Sequence, residues 1–415
     1  MRQVSPKKTG EMRPQLFYVW NYVEWGGAQI HLISIMKYAR ENWDVTVILP
    51  RSSSPDIVGF LRSKDVNIDF LEHSLDLSPA TRIIEKIRRQ LKRVRSEIAI
   101  INYFRKVRTK PFVVHIETAP WQSWQLLSLL CALSGKVFVT SHNTLVDGSL
   151  WRRLLWKGRL RFLLATGSLR LFAANRDTLG RLAEWVPKKY LEFIPVTYTS
   201  IDPIEIAAAR MSDDDRRKLR NKFGFSEDET VVLCVGQFID RKGRWIFLEA
   251  AQQILRTEEK MRFVWLTPEL PSGAAQEMIA GFGLGDSFRF VESSVAGGDR
   301  IDVLKFYNIA DIFALPSYLE GLPISLLEAM ALGLPCISTN INSIPEAVIH
   351  MKTGILIEPG DAGALADAIM TLANGPRLRS ELSINAEELV LEKFDERIAA
   401  NKVLSAYAAA LNLDA

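Results

Sequence analysis

Short runs rich in β-branched and aromatic residues alternate with helix-patterned stretches from the start of the chain, at 16–19, 45–49, 66–70, 112–115, 137–140, 171–173 and 191–194. Apolar strand runs separated by amphipathic helices predict a parallel sheet covered on both faces. The rhythm restarts at 231–235, 262–266, 288–291, 312–315, 336–339 and 355–357. The fold class is therefore α/β with two Rossmann-like domains, joined in the stretch 195–203. The expected division is 1–203 for an N-terminal domain, 204–390 for a C-terminal domain and 391–415 for a final helical segment. No internal repeat or low-complexity tract interrupts this pattern.

A chain of 415 residues with 48% hydrophobic content is long enough to bury two cores. Cys131, Cys234 and Cys336 stand far apart in apolar stretches, without the spacing of a disulfide framework or a zinc site, and read as reduced core residues of a cytoplasmic protein. The first residues lack the apolar core of a signal peptide. The longest uncharged stretch, 118–135, is interrupted by Gln122, Ser123 and Gln125, which argues against a membrane-spanning helix. Charge changes the picture more. Residues 1–200 hold 31 Lys and Arg against 16 Asp and Glu, whereas the rest hold 21 against 32. The first domain is thus expected to meet something anionic.

Two glycine turns mark candidate anion sites. Gly26 and Gly27 lie between the first strand and a helix whose apolar positions Leu32, Ile35, Met36 and Ala39 follow helical spacing. Gly236 and Gln237 follow the strand 231–235 and lead through Lys242 and Gly243 into another helix. A glycine lets the backbone approach phosphate, and the free amides of a helix start point towards it. A lysine ammonium beside such a turn would stabilise charge on a departing phosphate without a metal. Further on, Glu320 and Glu328 stand seven residues apart across a loop-to-helix junction, with Gly321, Leu322 and Pro323 between them. Pro323 suits the first helical position. At ~1.5 Å per residue, Glu328 lies roughly 7 Å along the axis from Pro323, within reach of whatever is attached to an anion at the helix start. His142 follows a predicted strand at the end where α/β ligand crevices form, and His115 ends another strand and reads as structural. His31 and His350 carry no further signal.

The segment 317–335 resembles the paired-glutamate signature of retaining glycosyltransferases of family 4, which have the GT-B fold of two Rossmann-like domains facing across a cleft. The resemblance implies a nucleotide-sugar donor and a saccharide or lipid-linked acceptor, in surface polysaccharide or glycolipid biosynthesis. It places Glu320 on the sugar hydroxyls, Glu328 on the ribose, and Lys242 with Gly236, Gln237, Gly321, Leu322 and Pro323 around the diphosphate. Gly26 and Gly27 would face that diphosphate from the first domain, and His142 would stand beside the donor sugar. Glu320, Lys242 and His142 are then the catalytic candidates, with no metal and no cofactor. The final helix would cross back to the first domain. The sequence departs from the family pattern at Gln237, where arginine is usual, at Gln29 and Ser343, and in the joint 194–202. Arg241 and Arg244 are the candidate replacements for the missing cation.

Asp213 and Asp215 form an Asp-Xaa-Asp, yet after Ser212 they read as the acidic first turn of a capped helix. The glycines at 281, 283 and 285 precede their strand and so mark a loop, not a dinucleotide turn. Residues 81–110 hold eleven Lys and Arg and two acids, with Ile84, Ile87, Leu91, Val94, Ile98 and Ile101 at helical spacing. A second basic run, 151–162, carries aromatics. Such a surface either packs its stripe on the sheet or meets an anionic membrane at the inner face of the plasma membrane. The rival functions are a sugar-nucleotide epimerase on the same fold, a nucleic-acid- or membrane-binding protein, and a silent scaffold. No nucleic-acid-reading motif is present, so no nucleic-acid partner is expected.

Overall fold

The computed structural model describes residues 13–20, 27–74, 82–107, 112–116, 123–142, 149–297 and 299–413. The chain forms two compact units. The first comprises 1–174, 178–197 and 400–415, and the second 175–177 and 198–399.

The first unit is a parallel sheet of six strands, β1 (Gln15–Val19), β2 (Asp44–Pro50), β3 (Asn67–Leu71), β4 (Phe112–Ile116), β5 (Val137–Ser141) and β6 (Leu169–Ala173), in the order β3-β2-β1-β4-β5-β6. Alternate strand residues point to opposite faces. Leu16, Tyr18, Val45, Val47, Phe138 and Phe172 pack on α1 (Gly27–Ala39) and α2 (Pro55–Ser63). Phe17, Val19, Val114, Val137, Val139 and Leu171 pack on α3 (Ile83–Lys106), α4 (Trp124–Ser134) and α5 (Leu150–Ala165). The terminal helix Glu396–Ala410 completes the first of these faces with Val403, Tyr407 and Ala410.

The expected strand at 191–194 is not one. The helix Lys188–Leu191 occupies its start, and the Phe193 and Ile194 amides donate to Tyr190 and Leu191 at 3.2 and 3.1 Å. Those tight turns use the amides that a strand would offer a neighbour. The chain meets the sheet just later, where Thr197 N donates to Ala173 O and Ala173 N donates to Pro195 O, at 2.8 and 3.1 Å.

The second unit repeats the design with β7 (Thr230–Val235), β8 (Met261–Thr267), β9 (Phe288–Glu292), β10 (Ile312–Leu315), β11 (Cys336–Thr339) and β12 (Ile355–Ile357), all parallel, in the order β12-β11-β10-β7-β8-β9. Strands buried on both faces read as continuous apolar runs, and β7 and β10 do so here. Asp213–Lys222 is a helix capped by Ser212, whose side chain accepts from Asp215 N, so the Asp-Xaa-Asp is the acidic first turn expected of it. Among the described residues, no helix is long and apolar enough to cross a membrane.

Candidate active site

In the second unit the site is built where β7 and β10 end. Gly236 leaves β7 at φ +146°, and a Cβ there would stand 3.3 Å from Cε of Lys242. The glycine thus leaves room for the lysine stem to fold back over the strand end. Asp240–Lys242 make a single tight turn closed by Gly243, whose φ of +72° is the left-handed region that favours glycine, and the helix Arg244–Ile254 starts directly afterwards. The loop after β10 is laced to this turn: Tyr318 N donates to Arg241 O at 2.8 Å, and Arg241 Nη1 donates to Leu319 O at 2.9 Å.

These contacts converge on Glu320. Its carboxylate is 2.7 Å from Lys242 Nζ and 3.2 Å from Arg241 Nη1, and it accepts from the Ser317 hydroxyl at 2.9 Å. Glu320 and Lys242 are nearly buried, at 7% and 12% side-chain exposure, while Arg241 keeps 41%. Two cations around one anion leave a net positive corner. Only one of the three ammonium donors of Lys242 is spent on Glu320, so the others remain for phosphate oxygens. The carboxylate, held from three sides, retains lone pairs for hydroxyl donors.

Gln237 is exposed at the end of β7. Of the two candidate replacement cations, Arg241 reaches the corner. Arg244 is turned instead to Asp240 and to the Phe238 carbonyl, at 2.8 and 3.0 Å. Pro323 caps the helix Ile324–Ala331 from just outside it, one position earlier than expected, with Leu322 buried behind it. The Gly321 carbonyl accepts from the Ser343 hydroxyl at 2.6 Å, so the serine at the position where glycine is usual pins this turn.

Glu328 lies on the helix Ile324–Ala331 but is held by a different set of partners. Its two oxygens accept from Arg300 Nη2 at 2.6 Å and from the Tyr307 hydroxyl at 2.7 Å, and Arg300 also donates to Glu205 at 2.7 Å. Burial and the Glu328 carboxylate push the Tyr307 hydroxyl far up from its ordinary range. This corner carries one cation and two anions, so it suits hydroxyl donors better than phosphate. Sequence reasoning missed Arg300, Tyr307, Glu205 and Ser317. Of these, only Ser317 lies inside the motif that was read.

In the first unit, Gly27 opens α1, whereas Gly26 falls outside the described residues. His142 directly follows β5, and its ring lies edge-on to His31, centroids 5.6 Å apart. Neither ring nitrogen of His31 meets a hydrogen-bond partner among the described residues. His115 is structural, set between the Tyr407 hydroxyl on Nδ1 and the Thr140 hydroxyl at 2.9 Å on Nε2. Burial pushes the imidazoles of His31 and His115 down to about 4 and about 3. His142 is lowered by burial and then by its two histidine neighbours. All three are neutral at pH 7, so His142 offers one donor and one acceptor, not a charge.

Residues 215–389 match the family described as glycosyl transferases group 1. The match lies within the second unit, which is thus similar to the group 1 glycosyl transferases. The amylovoran biosynthesis glycosyltransferase AmsK of Erwinia amylovora is 29% identical over 253 residues, 55% of each chain. This chain spans about half the length of the curated relatives it matches, 48%, 55% and 62% for three of them. A glycosyltransferase structure from Rickettsia africae superposes with a TM-score of 0.76 at 16% identity, covering 96% of this chain and 99% of the other. Anabaena HepE in complex with UDP and glucose gives 0.72 at 16% identity, over 95% and 99%. The fold is accordingly GT-B.

Proposed function

We propose that the chain transfers a sugar from a nucleotide-sugar donor to a saccharide or lipid-linked acceptor, with retention at the anomeric carbon and without a metal. The observation that carries the proposal is the corner at Glu320. A buried carboxylate fixed by Lys242, Arg241 and Ser317 can accept from sugar hydroxyls, while the spare ammonium protons of Lys242 meet the diphosphate. As the glycosidic bond breaks, its electron pair leaves with the diphosphate, and the Lys242 ammonium stabilises the growing charge. The acceptor oxygen attacks the same face of the sugar, and its proton passes to the departing diphosphate oxygen. Gly236, Gln237, Gly321, Leu322 and Pro323 line the diphosphate. Glu328, oriented by Arg300 and Tyr307, accepts from the ribose hydroxyls.

The first unit takes the acceptor beside Gly26, Gly27 and His142, whose neutral imidazole hydrogen-bonds a sugar hydroxyl. That AmsK is named for amylovoran biosynthesis favours a place in polysaccharide or glycolipid assembly. HepE holding UDP and glucose favours a nucleotide-sugar donor. The proposal includes a cytoplasmic location at the inner face of the plasma membrane.

The test is nucleotide release from UDP-, GDP- and ADP-sugars with lipid extract as acceptor, comparing wild type with Glu320→Gln and Lys242→Ala. Acceptor-dependent release by the wild type, reduced about a hundredfold or more in each variant, is expected. Equal turnover in all three would refute the assignment.

A further inference from the structure

A cavity of about 480 Å³ lies in the second unit, apart from the corner at Glu320. Asp311 and Pro335 on its wall directly precede β10 and β11, so it opens at the N-terminal ends of the strands. The Glu320 corner stands beyond their C-terminal ends, past the four residues of β10, or ~13 Å of strand. α/β sheets ordinarily take their substrates at the C-terminal ends, which leaves this cavity without a part in the proposed transfer. Its volume is that of a small-molecule site.

Helical spacing brings Pro376, Arg379, Ser380, Ser383 and Ile384 of the helix Pro376–Lys393 to one wall. Leu332, Leu334 and Pro335 give the cavity an apolar side. Its carboxylates are already neutralised: Asp311 accepts from Arg216, Arg220 and the Val231 amide, and Glu387 pairs with Arg210. Arg379 is half-buried, and its guanidinium has no ion pair or hydrogen bond among the described residues; the hydroxyls of Ser380 and Ser383 have none either. Counting these partners, the cations Arg210, Arg216, Arg220 and Arg379 outnumber the anions Asp311 and Glu387. An anion with an apolar body answers both the charge and the apolar side. The planar fork of Arg379 covers two oxygens and the two hydroxyls are left for a third, so the three terminal oxygens of a phosphomonoester use these donors more fully than the two of a carboxylate.

We propose that this cavity is an effector site for a small phosphomonoester with an apolar or ring body. Tyr307 lines it, and the hydroxyl of the same residue holds Glu328 at 2.7 Å. Leu332 and Gly333, also on the wall, directly follow the helix Ile324–Ala331 that carries Glu328. An occupant therefore restrains both elements that position this carboxylate. The consequence for donor binding rests on the reading of Glu328 as the ribose holder; the binding itself does not.

Calorimetric titration of the full chain with phenyl phosphate tests it, with benzoate as the carboxylate counterpart. The wild type should bind phenyl phosphate, and benzoate at least about fivefold more weakly for want of the third oxygen. Arg379→Met should weaken phenyl phosphate at least about tenfold, because a charge-assisted fork is lost. Arg377→Met, at an exposed arginine outside the cavity, should leave it unchanged. A thermal unfolding midpoint of Arg379→Met equal to wild type excludes misfolding as the cause. Absence of wild-type binding would overturn the proposal, as would equal binding by Arg379→Met and wild type or equal affinity for benzoate. Binding lost in Lys242→Ala but kept in Arg379→Met would place the phosphate at the Glu320 corner and overturn it as well. Hydrogen exchange reads the effector role: phenyl phosphate should slow exchange along the helix Ile324–Ala331 in the wild type and not in Arg379→Met, and unchanged exchange in the wild type would overturn that role. None of these readouts uses a donor, so donor turnover measured on the same samples reports on the transferase reading separately.

Discussion

The carbonyl oxygen of Pro316 occupies the place where a side chain on Gly243 would begin: a Cβ there would stand 1.8 Å from it. This approach of two backbones is what seats the Lys242 turn against the loop that carries Glu320. Gly243→Ala should therefore cost more than conformational strain. The left-handed φ costs roughly 1–2 kcal/mol and the clash about 1–3 kcal/mol more. Gly135→Ala is the control, since Gly135 has φ +65° but nothing within 4 Å of its Cβ position. Urea denaturation should show the Gly243 variant clearly less stable than the Gly135 variant; equal losses would mean that the Pro316 contact relaxes freely.

The ion pair of Lys242 and Glu320 is buried enough for its partners to depend on each other. Lys242→Met leaves Glu320 short of a cation in a desolvated corner, with Arg241 and Ser317 as its remaining partners. Adding Glu320→Gln removes the charge that needed compensation. The double variant should thus be more stable than additivity allows, with a coupling on the order of 1–3 kcal/mol. Additive losses in a double-mutant cycle would mean that the pair is effectively solvated.

Most strands were legible because a strand covered on both faces must be a short apolar run, as β7 and β10 are. The run 191–194 misled for the same reason: four apolar-rich residues suit a strand or a buried turn equally, and only the amide bonding decides. Glu320 and Lys242 were legible because each lies in a local motif of its own, 236–243 and 317–335. The partners of Glu328 were not, since Arg300 and Tyr307 lie 28 and 21 residues away, outside any motif. The choice between Arg241 and Arg244 is a matter of side-chain direction, which spacing does not encode. Likewise, periodicity reveals the stripe of α3 but not that its first half is largely exposed.

The terminal helix contributes a buried polar chain to the first unit. The Tyr407 hydroxyl meets both Tyr18 and His115 Nδ1, and the His115 Nε2 side is closed by Thr140. Tyr407→Phe leaves a buried imidazole nitrogen without its partner at almost no change in volume. A loss of about 1–3 kcal/mol is expected, the usual cost of an unsatisfied buried polar group. Thr140→Val tests the other end of the chain. Unfolding midpoints for either variant equal to wild type would show that the corresponding bond contributes nothing net.

The buried histidines also set how the first unit responds to acid. His31 and His115 are held neutral by burial, with values lowered from 6.5 to about 4 and about 3, and like-charge repulsion from His31 adds to the lowering at His115. A depressed value in the folded state means that the unfolded chain binds more protons below about pH 6.5. The stability from these neutral rings is therefore fully present above that pH and is lost as pH falls towards 4, at up to about 1.4 kcal/mol per pH unit for each extra proton bound by the unfolded chain. His31→Leu removes one such group and relieves the repulsion on His115 and His142. Urea midpoints measured between about pH 7 and pH 4.5 should fall more gently in this variant than in the wild type, by close to one proton in the linkage slope. Parallel curves would mean that His31 is protonated in the folded protein, with water or a counter-ion reaching its ring.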